Sequence, residues 1–117
     1  MNLKRKMLSM AVGLSLGLSF GFAGTASAAD EVYIPLISKG FQHQFWQAVK
    51  AGADQAGKDF KVRVTFEGPE TEAMVDKQID MLSAALAKKP AAIGFAALDS
   101  KAATPLLKKA QDAKIPV

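Results

Sequence analysis

The feature that most constrains this chain is a repeated change of period. From Ala29 onward, short apolar runs of strand length alternate with longer segments whose apolar residues recur every three or four positions. A short run bounded by turn residues suits a strand, whereas the three-and-four pattern puts one apolar stripe on a helix. Val32 to Ile37 is the first such run, rich in β-branched residues. Its Pro35 donates no hydrogen bond, so that nitrogen is expected near the strand's end, where no partner is required. A helix is predicted from about His43 to Lys58, with Phe45, Val49, Gly52, Ala53 and Ala56 on its buried face. Val62, Val64 and Phe66 then alternate with Lys61, Arg63 and Thr65, which predicts a strand with one wet face at a sheet edge.

Gly68-Pro69 marks a turn, and Thr71 is the predicted N-cap of a second helix, with Glu70 and Glu72 near its positive end. Val75, Ile79, Leu82 and Leu86 form the stripe, Lys88-Lys89 suit the negative pole, and Pro90 ends the helix. Ala91 to Leu98 is apolar throughout, as a strand covered on both faces must be. Asp99-Ser100 opens a third helix through about Ala113, with Leu106, Leu107 and Ala110 inward. Pro105 places the start of its regular part after Thr104, because proline suits the first turn. Ile115 to Val117 begins a fourth apolar run, from which the chain is expected to be a piece of a longer protein.

Strand and helix alternating in units of this length predict an α/β fold: a three-layer βαβ sandwich with a parallel sheet and right-handed crossovers. With the half-wet second strand at the edge, the strand order begins 2-1-3. Ligands of such sheets bind beyond the carboxyl ends of the strands, at the point where the order reverses. Here that point lies between the first and third strands.

The amino end reads as a targeting segment. Lys4, Arg5 and Lys6 precede an uncharged apolar run from Met7 to Ala23, and Ala26-Ser27-Ala28 has the small-x-small form of a cleavage site. Residues 1–28 are therefore expected to be a signal peptide, and 29–117 part of one lobe of the folded product. Three of the fifteen Lys and Arg residues lie in that leader, leaving twelve against eleven acidic residues. The remainder is close to neutral and offers no nucleic-acid surface. With no cysteine there is neither a disulfide nor an attachment point for a lipid anchor, which points to the periplasm.

Several chemistries lack their residues. Gly40 and Gly52 are not spaced as a dinucleotide loop, one histidine without cysteine leaves no transition-metal donor set, and no serine sits in a nucleophile elbow. No cofactor and no enzymatic activity are expected. What stands out is the stretch from Lys39 to Trp46, which gathers the chain's one histidine, its one tryptophan and two of its seven phenylalanines just after strand one. Phe45 is in register with the helix stripe and is open to packing or to a ligand. Trp46 lies one residue off that stripe, and its face suits the flat C–H surface of a carbohydrate ring. His43 and Gln44 are helix caps or neutral hydrogen-bonding groups for hydroxyls. Lys39 is a loop charge beside the crevice, and Asp99, after strand three, is an N-cap or a ligand contact.

The combination "FQHQFWQAVKAGADQA", "QID", "KKPAAIGF" and "KIPV" resembles the amino-terminal portion of periplasmic sugar-binding proteins of the ribose-binding type, over nearly all of the mature chain. These are the solute-binding components of ABC importers. The resemblance implies a partial lobe of a two-lobe periplasmic binding fold that closes about a hinge on a monosaccharide and is then recognised by a membrane permease, and in some cases by a chemoreceptor. It implies a monomer when full length. The family's polar residue, spacer and two aromatics correspond to His43, Gln44, Phe45 and Trp46. The ribose binder carries asparagine and two phenylalanines there, so His43 and Trp46 argue against ribose itself. Two other readings are open, of which the first shares this lobe. One is the effector domain of a LacI-type regulator, which needs a DNA-reading amino end where this chain has a leader. The other is an exported flavodoxin-like enzyme.

Overall fold

The computed structural model describes residues 31–117. The predicted leader and its cleavage after Ala28 lie outside the described residues. The elements are β1 (Tyr33–Ile37), α1 (Gln44–Phe60), β2 (Arg63–Glu67), α2 (Val75–Ala87), β3 (Gly94–Phe95) and α3 (Ser100–Asp112). The sheet is parallel throughout, in the order β2-β1-β3 that the alternation predicts.

Alternate residues of β1 serve the two faces. On one face Ile37 joins Leu82 and Ala85 of α2, Ile93 beside β3, and Ala103 of α3 in a core whose members are 3% exposed or less. Leu86, Leu106 and Leu107 close the sides of this core. The α2 stripe predicted from Leu82 and Leu86 thus meets the α3 stripe, because both helices cross the same side of the sheet. Helix α1 covers β2 closely: a Cβ on Gly57 would come within 3.1 Å of the Val62 carbonyl and 3.7 Å of Val64, so a larger residue there would press on the β2 entry.

Pro35 is not at a strand end. It sits in the middle of β1, paired with Thr65, and is fully buried. The Ser38 N–H donates to Glu67 O at 2.8 Å, so even-numbered nitrogens of β1 face β2 and the Pro35 nitrogen faces β3. Its missing donor explains a second departure. Instead of a strand over Ala91 to Leu98, only Gly94–Phe95 is regular, and the pairing with β1 begins at Leu36, just past the proline. Before it, Ala91 N–H bonds Tyr33 O at 2.8 Å out of register. Among the described residues no fourth strand is formed, but Ile93 N–H donates to Pro116 O at 2.8 Å, which sets the last residues beside β3.

Three helix details also differ from expectation. Met74, not Thr71, precedes α2, and it makes no capping bond. Residues 71–74 form a turn of their own, closed by Met74 N–H on Thr71 O at 3.3 Å. Helix α3 runs unbroken through Pro105 from Ser100. Asp99 accepts from Ala102 N–H at 2.9 Å and starts the helix early. Pro105 and Lys101 are both exposed, on the outer side of the helix, where the carbonyl that the proline leaves without a donor is open to solvent rather than to the core. On α1 the stripe is Trp46, Val49, Ala53 and Ala56, whereas Phe45 and Gly52 face solvent. Trp46 and Ala53 are seven residues apart, within about 20° of the same direction at 100° per residue, whereas Phe45 is about 80° away.

Each helix is left through a lysine in the left-handed region: Lys61, Lys89 and Lys114 have φ of 53°, 51° and 57°. Glycine is the usual residue there. The lysine charge at the negative helix pole offsets part of the steric cost.

Candidate functional site

The loops after the three strands gather along one edge of the sheet. Ser38 ends β1 and is buried; its hydroxyl donates to Gly40 O at 2.8 Å, with Glu67 O at 3.2 Å as the alternative acceptor. A Cβ on Gly68 would lie 2.2 Å from that hydroxyl oxygen, so glycine is required for the β2 loop to pass so close. Phe41 N–H then donates to Pro69 O at 2.9 Å. These bonds stitch the β1 and β2 loops into one rim.

On this rim stands the aromatic cluster. His43 is the N-cap of α1, its Nδ1 accepting from Phe45 N–H at 3.2 Å. An accepting Nδ1 carries no hydrogen, so the ring hydrogen resides on Nε2. Phe45 is 60% exposed, a high value for a phenylalanine in a helix with an apolar face available. Its ring meets Trp46 edge-on, with centroids 4.9 Å apart and planes at 79°. Trp46 is half-buried, and its Nε1–H donates to Glu72 Oε1 at 3.1 Å. The roles assigned by periodicity are thus exchanged: Trp46 is the residue in line with the core, and Phe45 stands free.

Two hollows open on this edge. One, of about 230 Å³, is apolar and runs from Trp46 and Val49 to Leu36, Phe66 and Phe95. The other, of about 340 Å³, lies between Gly40 and His43 on one side and Glu70 to Glu72 on the other. Lys39 is half-buried in the β1 loop, and Asp99 is exposed at the β3 loop. Asp99 uses Oδ1 to cap α3. Among the described residues no hydrogen bond or ion pair joins Lys39 or Asp99 to the aromatic pair. The edge therefore brings together His43, Phe45 and Trp46, with Lys39 earlier in the same β1–α1 loop and Asp99 apart on the β3 loop.

Two residues of this edge went unseen in the sequence. Glu72, which the sequence puts near a helix pole, orients the indole instead; nothing in spacing pairs residues 46 and 72. Gln78 is 1% exposed and makes three side-chain hydrogen bonds of 2.8 Å, donating to Ser38 O and Ala96 O and accepting from Leu98 N–H. A glutamine one position ahead of Ile79, within the apolar stripe of α2, is the signal that could have found it.

Residues 34–117 match the family model described as Periplasmic binding protein domain. The chain belongs to the periplasmic binding protein family. Solved relatives agree. A protein from Brachyspira murdochii, named as an ABC transporter and LacI family transcriptional regulator, is 42% identical with a TM-score of 0.69, over 74% of this chain and 27% of its own. An ABC transporter solute-binding protein from Agrobacterium vitis, with bound D-fucose, is 40% identical with a TM-score of 0.68, over 73% of this chain and 30% of its own. A carbohydrate transporter solute-binding protein from Agrobacterium radiobacter, in complex with D-arabinose, is 39% identical with a TM-score of 0.63, over 68% and 28%. This periplasmic binding domain therefore spans under a third of the length of those relatives. Members of the family bind solutes without transforming them.

Proposed function

We propose that this domain forms one wall of a monosaccharide site in a two-lobe solute-binding protein, which captures the sugar in the periplasm and presents it to an ABC permease. The observation that carries the reading is Phe45: a large apolar ring left in water on the carboxyl edge of the sheet, beside Trp46 and within a rim of hydrogen-bonding groups. A pyranose or furanose ring has the same mixed character, apolar C–H faces and polar hydroxyl edges. The D-fucose and D-arabinose bound by two of the relatives support a sugar as the solute class.

In this reading the Phe45 face takes the C–H surface of the sugar, and Trp46 backs it from the core side. Nε2–H of His43 donates to a hydroxyl oxygen. Asp99 keeps Oδ2 for a hydroxyl hydrogen, and the Lys39 ammonium donates from the facing loop. The second lobe supplies the opposite wall, and closure about the hinge is driven by contacts that the ligand makes with both lobes at once. Residues 1–28 act as the export signal, cleaved after Ala28, and 29–117 belong to the amino-terminal lobe. The loaded closed form is the one the permease reads, and a chemoreceptor surface is compatible with it.

The test uses the complete reading frame that contains this chain. Purified protein is screened by thermal shift against pentoses, hexoses and polyols, and Trp46, the chain's one tryptophan, reports binding by fluorescence. One sugar class is expected to raise the midpoint and change Trp46 emission, and Trp46→Ala to weaken its binding more than tenfold with the fold intact. A protein indifferent to every sugar, or a binding-neutral Trp46→Ala, overturns the reading.

A further inference from the structure

The β1–β3 ladder ends abruptly. Ile37 pairs with Phe95, and Ala96 N–H donates to Ile37 O at 3.0 Å. In a parallel ladder each residue donates to one neighbour and accepts from a second one two positions further on. Were the ladder to continue, Lys39 N–H would donate to Ala96 O and Lys39 O would accept from Leu98 N–H. Those are two of the three groups that Gln78 satisfies: Nε2 donates to Ala96 O and Oε1 accepts from Leu98 N–H, both at 2.8 Å. The second Nε2 hydrogen goes to Ser38 O at 2.8 Å, on the strand that has left.

We propose that Gln78 is the positioning residue of the carboxyl-edge cleft: its carboxamide replaces the Lys39 backbone at the end of the ladder, so the β1 loop leaves the sheet while both loops stay at a fixed spacing. The inference rests on the sugar-site reading for its consequence, but the latch itself is a matter of geometry. Few side chains fit. The site needs two donors and one acceptor in a plane at the reach of a glutamine; asparagine is one methylene short, glutamate turns an oxygen toward carbonyl oxygens, and methionine offers no donor. Gln78 is 1% exposed and its bond to Ser38 O is buried, so losing that bond leaves a buried carbonyl without its partner. The two loops held this way carry Lys39 to Trp46 on one side and Asp99 on the other, and a displacement of about 1 Å between binding groups is enough to weaken a preorganised site.

The experiment compares Gln78→Met, Gln78→Glu and Leu82→Ala in the complete reading frame, at a temperature where each is folded by its melting curve. Sugar affinity is measured by Trp46 fluorescence and local opening by amide hydrogen exchange at Leu98. Gln78→Met is expected to weaken sugar binding at least tenfold and to speed Leu98 exchange at least a hundredfold. Leu82→Ala, which damages the core without touching the loops, should keep affinity within twofold. If Gln78→Met does not fold, Gln78→Glu, which retains the acceptor for Leu98, is read for affinity in the same way. Wild-type affinity in the folded Gln78 variant, or an equal loss in Leu82→Ala, overturns the proposal. Should the parent protein bind no sugar, the functional reading has failed and the exchange data decide alone: faster Leu98 exchange with unchanged exchange at Leu82 sustains the latch, and unchanged Leu98 exchange overturns it.

Discussion

The two faces of the sheet treat large apolar side chains in opposite ways. On the α2 and α3 side, Leu82, Ile37 and Ile93 are sealed, and the one large polar side chain among them, Gln78, has its bonds satisfied. On the α1 side the helix covers β2 closely at Gly57 but opens toward its amino end, where Trp46 is half-buried and Phe45 is left out. The same kind of residue stabilises on one face and is available on the other. Stability and binding should therefore separate when the two faces are mutated.

The sharpest test of that separation is Leu82→Ala. A fully enclosed leucine leaves a cavity when truncated, at a cost of about 3 kcal/mol in urea or thermal unfolding, with sugar affinity of the folded protein preserved. Phe45→Ala should do the reverse: unfolding free energy unchanged within about 0.5 kcal/mol, and sugar affinity by calorimetry down more than tenfold, or about 1.4 kcal/mol. Equal stability losses in the two variants would erase the contrast between the faces. Glu72→Ala frees the Trp46 ring, so emission is expected at longer wavelength and sugar binding severalfold weaker, with melting nearly unmoved. Lys61→Gly relieves about 1 kcal/mol of left-handed strain and gives up about 0.5 kcal/mol of charge at the helix pole, a net gain near 0.5 kcal/mol in the melting curve. Smallest of all, Lys50→Ala removes the 2.6 Å pair with Asp54 from the outer side of α1 and should shift stability by less than about 0.5 kcal/mol.

Much of the fold was legible because hydrophobic period and strand exposure are local signals. Val64 and Phe66 alternating with polar neighbours marked the edge, and that alone oriented the order 2-1-3. The site was legible in its address and less so in its parts. Counting along α1 could not decide whether Phe45 or Trp46 faced the sheet, since each lies a turn from Val49; alignment with Ala53 decides it. The missing donor of Pro35 argues for a strand end, yet it is tolerated mid-strand because it faces the irregular approach to β3. Glu72 and Gln78 act across long stretches of chain, on an indole and on backbone groups, and such partners leave no trace in spacing.

Pro35 has a bearing on self-association as well. A central strand that loses a neighbour normally offers a full row of donors to any extended segment nearby. Here the row facing β3 is interrupted at its middle, so a transiently exposed β1 cannot template a long foreign strand on that side. β3 is accepted through a short ladder that begins only past the proline. The proline that shortens the native pairing thus also narrows what β1 can pair with on that side.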